Sequence, residues 1–295
     1  MTYMDNEPER RACIEQTPDT GADGEVSACI CYNKRCYGRR KAMLNMAEFY
    51  YFSPTGGTRK AGEIFCRGIS EHIKAVDLGV KDRAVTKPES HLAVIAAPVY
   101  GGRIPSVVTK KLTELDGRGK TAVTLAVYGT RAYEDALLEL NRTLEEKGFY
   151  VAASAALVAQ HSIVPEVGRG RPDRQDEEEI LAFAGKVLEK LECGSDSPVK
   201  VPGNHPYKNG MSVTMTPVSS PDCCQCGKCA AICPTGALKM ENGEILTELE
   251  TCIMCMACVA ACPKHARALP DVLQEKTEQK LAGLKSVHRE NEFFL

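Results

Sequence analysis

Two cysteine runs of the same spacing limit this chain more than any other feature. Cys223-x2-Cys226-x2-Cys229-x3-Cys233-Pro234 recurs as Cys252-x2-Cys255-x2-Cys258-x3-Cys262-Pro263, an internal repeat. One tight loop can aim three thiols at three corners of a polynuclear centre only if little chain separates them. The fourth, set apart and followed by proline, then closes a site from a distance. Residues 1–25 are polar and acidic, with neither the positive start nor the apolar run of a secretory signal, so the expected compartment is the cytoplasm. Thiols stay reduced there, and 15 cysteines, most of them clustered, point to metal ligation rather than to disulfides.

The spacing is that of the [4Fe–4S] run in which the fourth cysteine of each copy ligates the cluster of the other. It assigns Cys223, Cys226, Cys229 and Cys262 to one cluster and Cys252, Cys255, Cys258 and Cys233 to a second. Zinc is the alternative, because C-x2-C pairs also hold tetrahedral zinc. Two zinc ribbons, however, need separated pairs, not three evenly spaced thiols and a fourth before proline. Cys224 falls outside the register and reads as a spectator. Between the runs, Glu241-Asn242-Gly243-Glu244 flanked by short apolar stretches signals a hairpin within 237–251. The block resembles the two-cluster bacterial ferredoxins. Its second copy has Lys264-His265 where the first has Thr235-Gly236, and His265 reads as a surface loop residue.

At 295 residues and 43% hydrophobic, the chain can bury the core of one large or two modest domains. Its 37 basic and 39 acidic residues leave a net charge of −2, so no general field draws it to nucleic acid or anionic lipid. No apolar run reaches the length of a membrane span, about 18 residues. Neither a nucleic acid nor a membrane is an expected partner. Continuous apolar runs over 48–53, 75–78, 92–98, 121–128 and 150–158 alternate with helical periods over 58–74, 105–115, 133–147 and 176–192. Unbroken apolar strands indicate a parallel sheet covered on both faces, hence a doubly wound five-stranded α/β domain over 47–193 with strand order 2-1-3-4-5. The rest divides into a disordered leader over 1–46, a linker over 194–221, the cysteine domain over 222–270 and a C-terminal helix within 271–295. Met43 and Met46 stand near the first strand and suggest a later natural start.

Three loops at strand ends carry candidate binding chemistry. Ser53-Pro54-Thr55-Gly56-Gly57-Thr58 joins the first strand to a helix, offering backbone N–H groups, hydroxyls and a helix N-terminus suited to a phosphate. It lacks the lysine of a Walker loop and is not G-x-G-x-x-G; a plain turn capped by Thr58 reads it equally well by itself. Pro98-Val99-Tyr100-Gly101-Gly102 follows the third strand and Tyr128-Gly129-Thr130-Arg131-Ala132-Tyr133 the fourth. In this strand order those ends meet at the switch point where a mononucleotide binds. Weaker signals are the basic loop 167–174, read as solvated, His161, read as structural, and Cys66 and Cys193, read as inert. No Ser-His-Asp or paired-carboxylate set stands out.

Residues 47–192 resemble a flavodoxin. The 53–58 loop is similar to that family's FMN phosphate motif, with Ser53 for the first Thr and Gly57 where Asn is common. Together with the cysteine block, the chain resembles the flavodoxin–ferredoxin fusion proteins of anaerobic bacteria. The resemblance implies FMN and two [4Fe–4S] clusters. It places FMN against Ser53, Thr55, Gly56, Gly57 and Thr58, against Pro98, Val99, Tyr100, Gly101 and Gly102, and against Tyr128, Gly129, Arg131 and Tyr133. With no Trp in the chain, Tyr100 and then Tyr133 are the candidates to stack on the flavin, an ordinary place in the core being the other reading of each. The expected function is electron transfer between FMN and the clusters, with a redox protein as partner. The alternatives are a flavin-dependent reductase of NAD(P)H or a small organic substrate, and an iron–sulfur sensor.

Overall fold

The structure, a computed structural model, describes residues 43–194 and 197–295. The expected leader lies, for residues 1–42, outside the described residues, and with it Cys13, Cys29, Cys31 and Cys36. The first part runs β1 (Leu44–Tyr51), α1 (Gly57–Ile69), β2 (Ser70–Asp77), β3 (Leu92–Pro98), α2 (Ser106–Thr113), β4 (Thr121–Tyr128), α3 (Ala136–Glu145), β5 (Tyr150–Val158) and α4 (Arg174–Glu192). The five strands pair in parallel in the order 2-1-3-4-5. Every residue of β3 and β4 is buried, which explains their unbroken apolar sequence. On one face α1 and α4 bring Phe65, Ile69, Phe183 and Val187 against Phe49, Val94 and Leu125. On the other, α2 and α3 bring Val108, Leu112, Leu140 and Leu144 against Tyr50 and Ile95. Each such side chain contributes roughly 1.5–3 kcal/mol by leaving water.

Two boundaries differ from the sequence reading. β1 opens at Leu44, and Met46, placed above in the leader, pairs with His72 of β2. The helical period extended to residue 74, but α1 stops at Ile69 and β2 begins at once. β2 is an edge strand with exposed Glu71, His72 and Lys74. A half-exposed edge strand lacks the apolar run that would announce it, and pairing with β1 decides its state.

The second part contains β6 (Val218–Ser219), α5 (Lys228–Ala231), β7 (Leu238–Glu241), β8 (Glu244–Thr247), α6 (Ala257–Ala260), β9 (Arg267–Ala268) and α7 (Asp271–Leu281). β7 and β8 form the expected hairpin, with Glu241 facing Glu244. The chain then returns to the first part. β10 (Glu292–Phe294) pairs antiparallel with β5 as a sixth strand, and the Phe293 ring lies 4.8 Å from that of Phe183. Asn291 locks this return: its Oδ1 accepts the Val158 N–H at 2.9 Å, and its Nδ2 donates to Asp176 at 2.7 Å and Glu179 at 2.8 Å. Residues 197–217 have no regular structure, yet they are tied down. The buried Asp135 carboxylate accepts the N–H groups of Asn204 at 2.8 Å and Lys208 at 2.7 Å.

Candidate functional site

The repeat folds each cysteine run onto the same backbone path. Three pairs of residues at equivalent positions take positive φ: Gln225 (54°) and Met254 (54°), Gly227 (71°) and Met256 (64°), Gly236 (70°) and His265 (50°). These bends let consecutive thiols turn to one side. The thiols then receive backbone N–H groups two residues on: Lys228 to Cys226, Met254 to Cys252, Ala257 to Cys255 and Lys264 to Cys262. The Ala266 N–H adds a bond to Cys262 Sγ at 3.2 Å. Such donors stabilise negative sulfur.

Cys233, Cys252, Cys255 and Cys258 together line one small cavity. This brings the last cysteine of the first run to the first three of the second. In the other set Cys226 lies within electrostatic reach of Cys262, and Cys223 packs against the core that contains Cys229. Cys224 is exposed and bonds to Cys226. The thiols surround space rather than converge on a point: among the described residues no three His, Cys, Asp or Glu are grouped to hold a single metal ion. Burial pushes the Cys255 thiol up to about 12 and also raises Cys229, Cys252 and Cys258. A bound cation would favour their deprotonation.

At the other end of the site, a cavity of about 460 Å³ opens where the C-terminal ends of β3, β4 and β5 meet, within the size range of small-ligand pockets. Val99, Gly101 and Gly102 form one wall, and Tyr128, Gly129 and Arg131 form another. The 53–58 loop is not part of this lining. It stands beside it: a side chain on Gly57 would touch Ala159, the residue that pairs with Tyr128 at the end of β5. Gly56 has φ of +91° with nothing within 4 Å of an added Cβ, and no side chain of its own caps α1. Ser53 Oγ accepts the N–H of Arg59, the third residue of α1, at 2.9 Å, which leaves the N–H groups of Gly57 and Thr58 without a capping side chain. Thr130, in the loop after β4, holds a buried hydroxyl with no partner.

Several expected contacts resolve differently. Tyr133 is buried, meets Tyr128 edge to face at 5.4 Å and donates its hydroxyl to Glu292 at 2.7 Å, so it offers no face to a flavin. Arg131 pairs with Glu134 at 2.7 Å, and Lys208 reaches the same carboxylate at 2.8 Å. Gly102 and Gly129 are small for the chain's own packing, since added side chains would strike Glu134 and His161. Pro98 is buried at the end of β3. Tyr100 is half-buried and lines a neighbouring cavity of about 550 Å³ with Arg103, Met211 and Ile253.

Residues 222–267 match the 4Fe-4S dicluster domain family. The first part has the flavodoxin-like strand order, and the cysteine-rich part carries the match to that ferredoxin-type family. No curated protein matches the chain. Among solved structures it is similar to the flavodoxin of Streptococcus pneumonia TIGR4 at 16% identity and a TM-score of 0.36, covering 51% of this chain and 99% of that one. The Megasphaera elsdenii flavodoxin is 20% identical, with a TM-score of 0.35 over 48% of this chain and 99% of that one. A Fusobacterium nucleatum flavodoxin, solved bound to flavin mononucleotide, is 13% identical, with a TM-score of 0.35 over 51% and 99%. Likeness at that level adds nothing to what the strand order already establishes.

The fusion supplies walls that the motifs did not announce. Lys208 to Met215, Met254, and Leu273, Thr277 and Leu281 of α7 all line the cavity over β3 and β4. His161 lines it too, and its Nδ1 accepts the N–H groups of Ile163 at 3.2 Å and Val164 at 3.1 Å. Burial lowers its pKa, so the ring is neutral with its proton on Nε2. The segment 197–217 reads as a linker because it lacks periodicity. Its role as a wall follows only from its anchoring to Asp135 and Arg103.

Proposed function

We propose that the chain is an electron-transfer iron–sulfur flavoprotein, in which FMN exchanges electrons with two [4Fe–4S] clusters. The observation that carries this reading is Met254, which lines both the cavity over β3 and β4 and the cavity enclosed by Cys233, Cys252, Cys255 and Cys258. A ligand in each cavity would be separated by little more than one side chain. When bound, FMN supplies chemistry in which electrons are taken up singly or in pairs, whereas the clusters pass them singly.

The chain's own residues have distinct tasks. The unbonded N–H groups at the start of α1, with Gly56 leaving room, fit the phosphate of FMN. Val99 and Tyr128 offer apolar walls and His161 an Nε2 donor. The segment 208–215, α7 and Met254 enclose the cavity and exclude water. Cys226, exposed on the far set, suits that cluster to exchange with a docked redox protein.

Anaerobic purification followed by an absorption spectrum and assays of iron, sulfide and FMN tests the reading. The expected content is about eight iron, about eight sulfide and one FMN per chain. Zinc in place of iron, or no flavin, overturns it. Reduction of the flavin by NAD(P)H alone would instead make the protein a reductase.

A further inference from the structure

Arg267 stands where the repeat has an apolar residue. Counted from the last cysteine of each run, it corresponds to Leu238 of the first copy. Both positions are buried, at 2% and 7% exposure. Leu238 packs with Cys229, Cys233 and Ile245, as a core residue should. Arg267 brings a guanidinium to the matching place. Its terminal nitrogens donate to Ser219 Oγ at 3.0 Å, the Pro217 carbonyl at 2.6 Å and Thr247 Oγ1 at 2.8 Å, all uncharged acceptors. Its Nε–H is buried without a partner of its own, and the side chain also reaches the Cys258 thiol.

A guanidinium does not shed its proton, and a buried charge without a counter-ion is costly. Among the described residues no carboxylate pairs with it. The groups that feel its charge are thiols: Cys229 and Cys262 of one set, Cys252 and Cys258 of the other. The missing anions are therefore the two cysteine-ligated clusters themselves, each net negative and each more so when reduced.

We propose that Arg267 is the shared counter-ion of both iron–sulfur clusters, a fixed positive charge between the two ligand sets that favours their reduced forms and raises both reduction potentials. This rests on the iron–sulfur reading of the cysteine runs. Reduction adds one electron to a cluster, and no proton moves on or off Arg267. In a low-dielectric interior the attraction between that charge and the added electron is weakly screened.

The test compares the full-length wild type with Arg267→Gln, which keeps hydrogen-bonding capacity without charge, and Arg267→Lys, which keeps charge without the fork. Each is purified anaerobically, assayed for iron and sulfide, and titrated by EPR-monitored reduction. The expected result is a shift of both clusters to lower potential in R267Q and potentials near wild type in R267K. Clusters retained in R267K and lost in R267Q would equally show that the charge is required. Unshifted potentials in R267Q, equal shifts in both variants, or cluster loss in both overturn the proposal. Absence of iron from the wild type sinks the iron–sulfur reading instead.

Discussion

Tyr100, in the turn after β3, and Cys255, in the second cysteine run, pack against the same hydrophobic core. Burial raises the Tyr100 phenol well above its ordinary pKa, and the neighbouring Cys255 raises it further. The tyrosine expected to stack on a flavin thus stands at the seam between the two domains, while Met254 spans it.

Replacing Met254 with Ala should slow electron exchange between flavin and clusters about tenfold, a loss equivalent to ~1.4 kcal/mol of barrier. Iron, sulfide and FMN contents should stay at wild-type levels. Stopped-flow absorbance under nitrogen reads the rate; an unchanged rate would place the path elsewhere. Because Met254 is buried, the variant also loses about 2 kcal/mol or more of stability, to be measured separately.

Gly57→Asp separates folding from binding. A carboxylate in the first turn of α1, which has no acidic residue there, should stabilise the helix by about 0.3–1 kcal/mol. The same charge should repel the phosphate and weaken FMN binding by about tenfold or more. Quenching of FMN fluorescence gives the affinity and thermal unfolding the stability. Weaker binding without loss of stability supports the loop as the anion site; unchanged affinity removes it.

The repeat predicts opposite outcomes for two glycine substitutions. His265 is exposed and takes φ of 50° where the first copy has Gly236, so His265→Gly should stabilise the protein by about 0.5–1 kcal/mol. Met256 takes φ of 64° opposite Gly227 but is buried against Met254 and Leu269. Met256→Gly relieves the same strain and loses more in packing, a net cost of about 2 kcal/mol. Urea midpoints under nitrogen distinguish the two.

The C-terminal return depends on pH through Asp176. Burial would raise its carboxyl, but hydrogen bonds from Arg171, the Asp173 N–H and Asn291 hold it below its ordinary value. A depressed carboxyl contributes stability above the unfolded value of about 3.9, and that contribution is lost as pH falls through the folded value. Asp176→Asn should flatten the acid limb of a stability curve measured by circular dichroism. It should also lose about 3–5 kcal/mol at neutral pH, since Arg171 is left buried without its partner. A variant with an unaltered acid limb contradicts this.

Most of the architecture was legible because it is written in local periods. β3, β4 and β5 match the apolar runs residue for residue, since strands buried on both faces must be apolar throughout. β2 was blurred into α1 because an edge strand shows no such run. β10 was missed because Glu292-Phe293-Phe294 is too short to signal a strand, and only the open edge of β5 makes it one. Tyr133 fitted the binding motif by position, but its ring turns toward Tyr128 and Glu292.

The cysteine spacing by itself determined the kind of centre this chain can build and which thiols belong to each run. That follows from how little chain can separate ligands aimed at one cluster. Only the tertiary structure decided that both runs stand against the α/β part, that Met254 and the 208–215 segment wall its cavity, and that Arg267 comes within electrostatic reach of cysteines from both runs. Those relations join residues far apart in sequence through packing, and packing between distant segments leaves no period for a sequence to display.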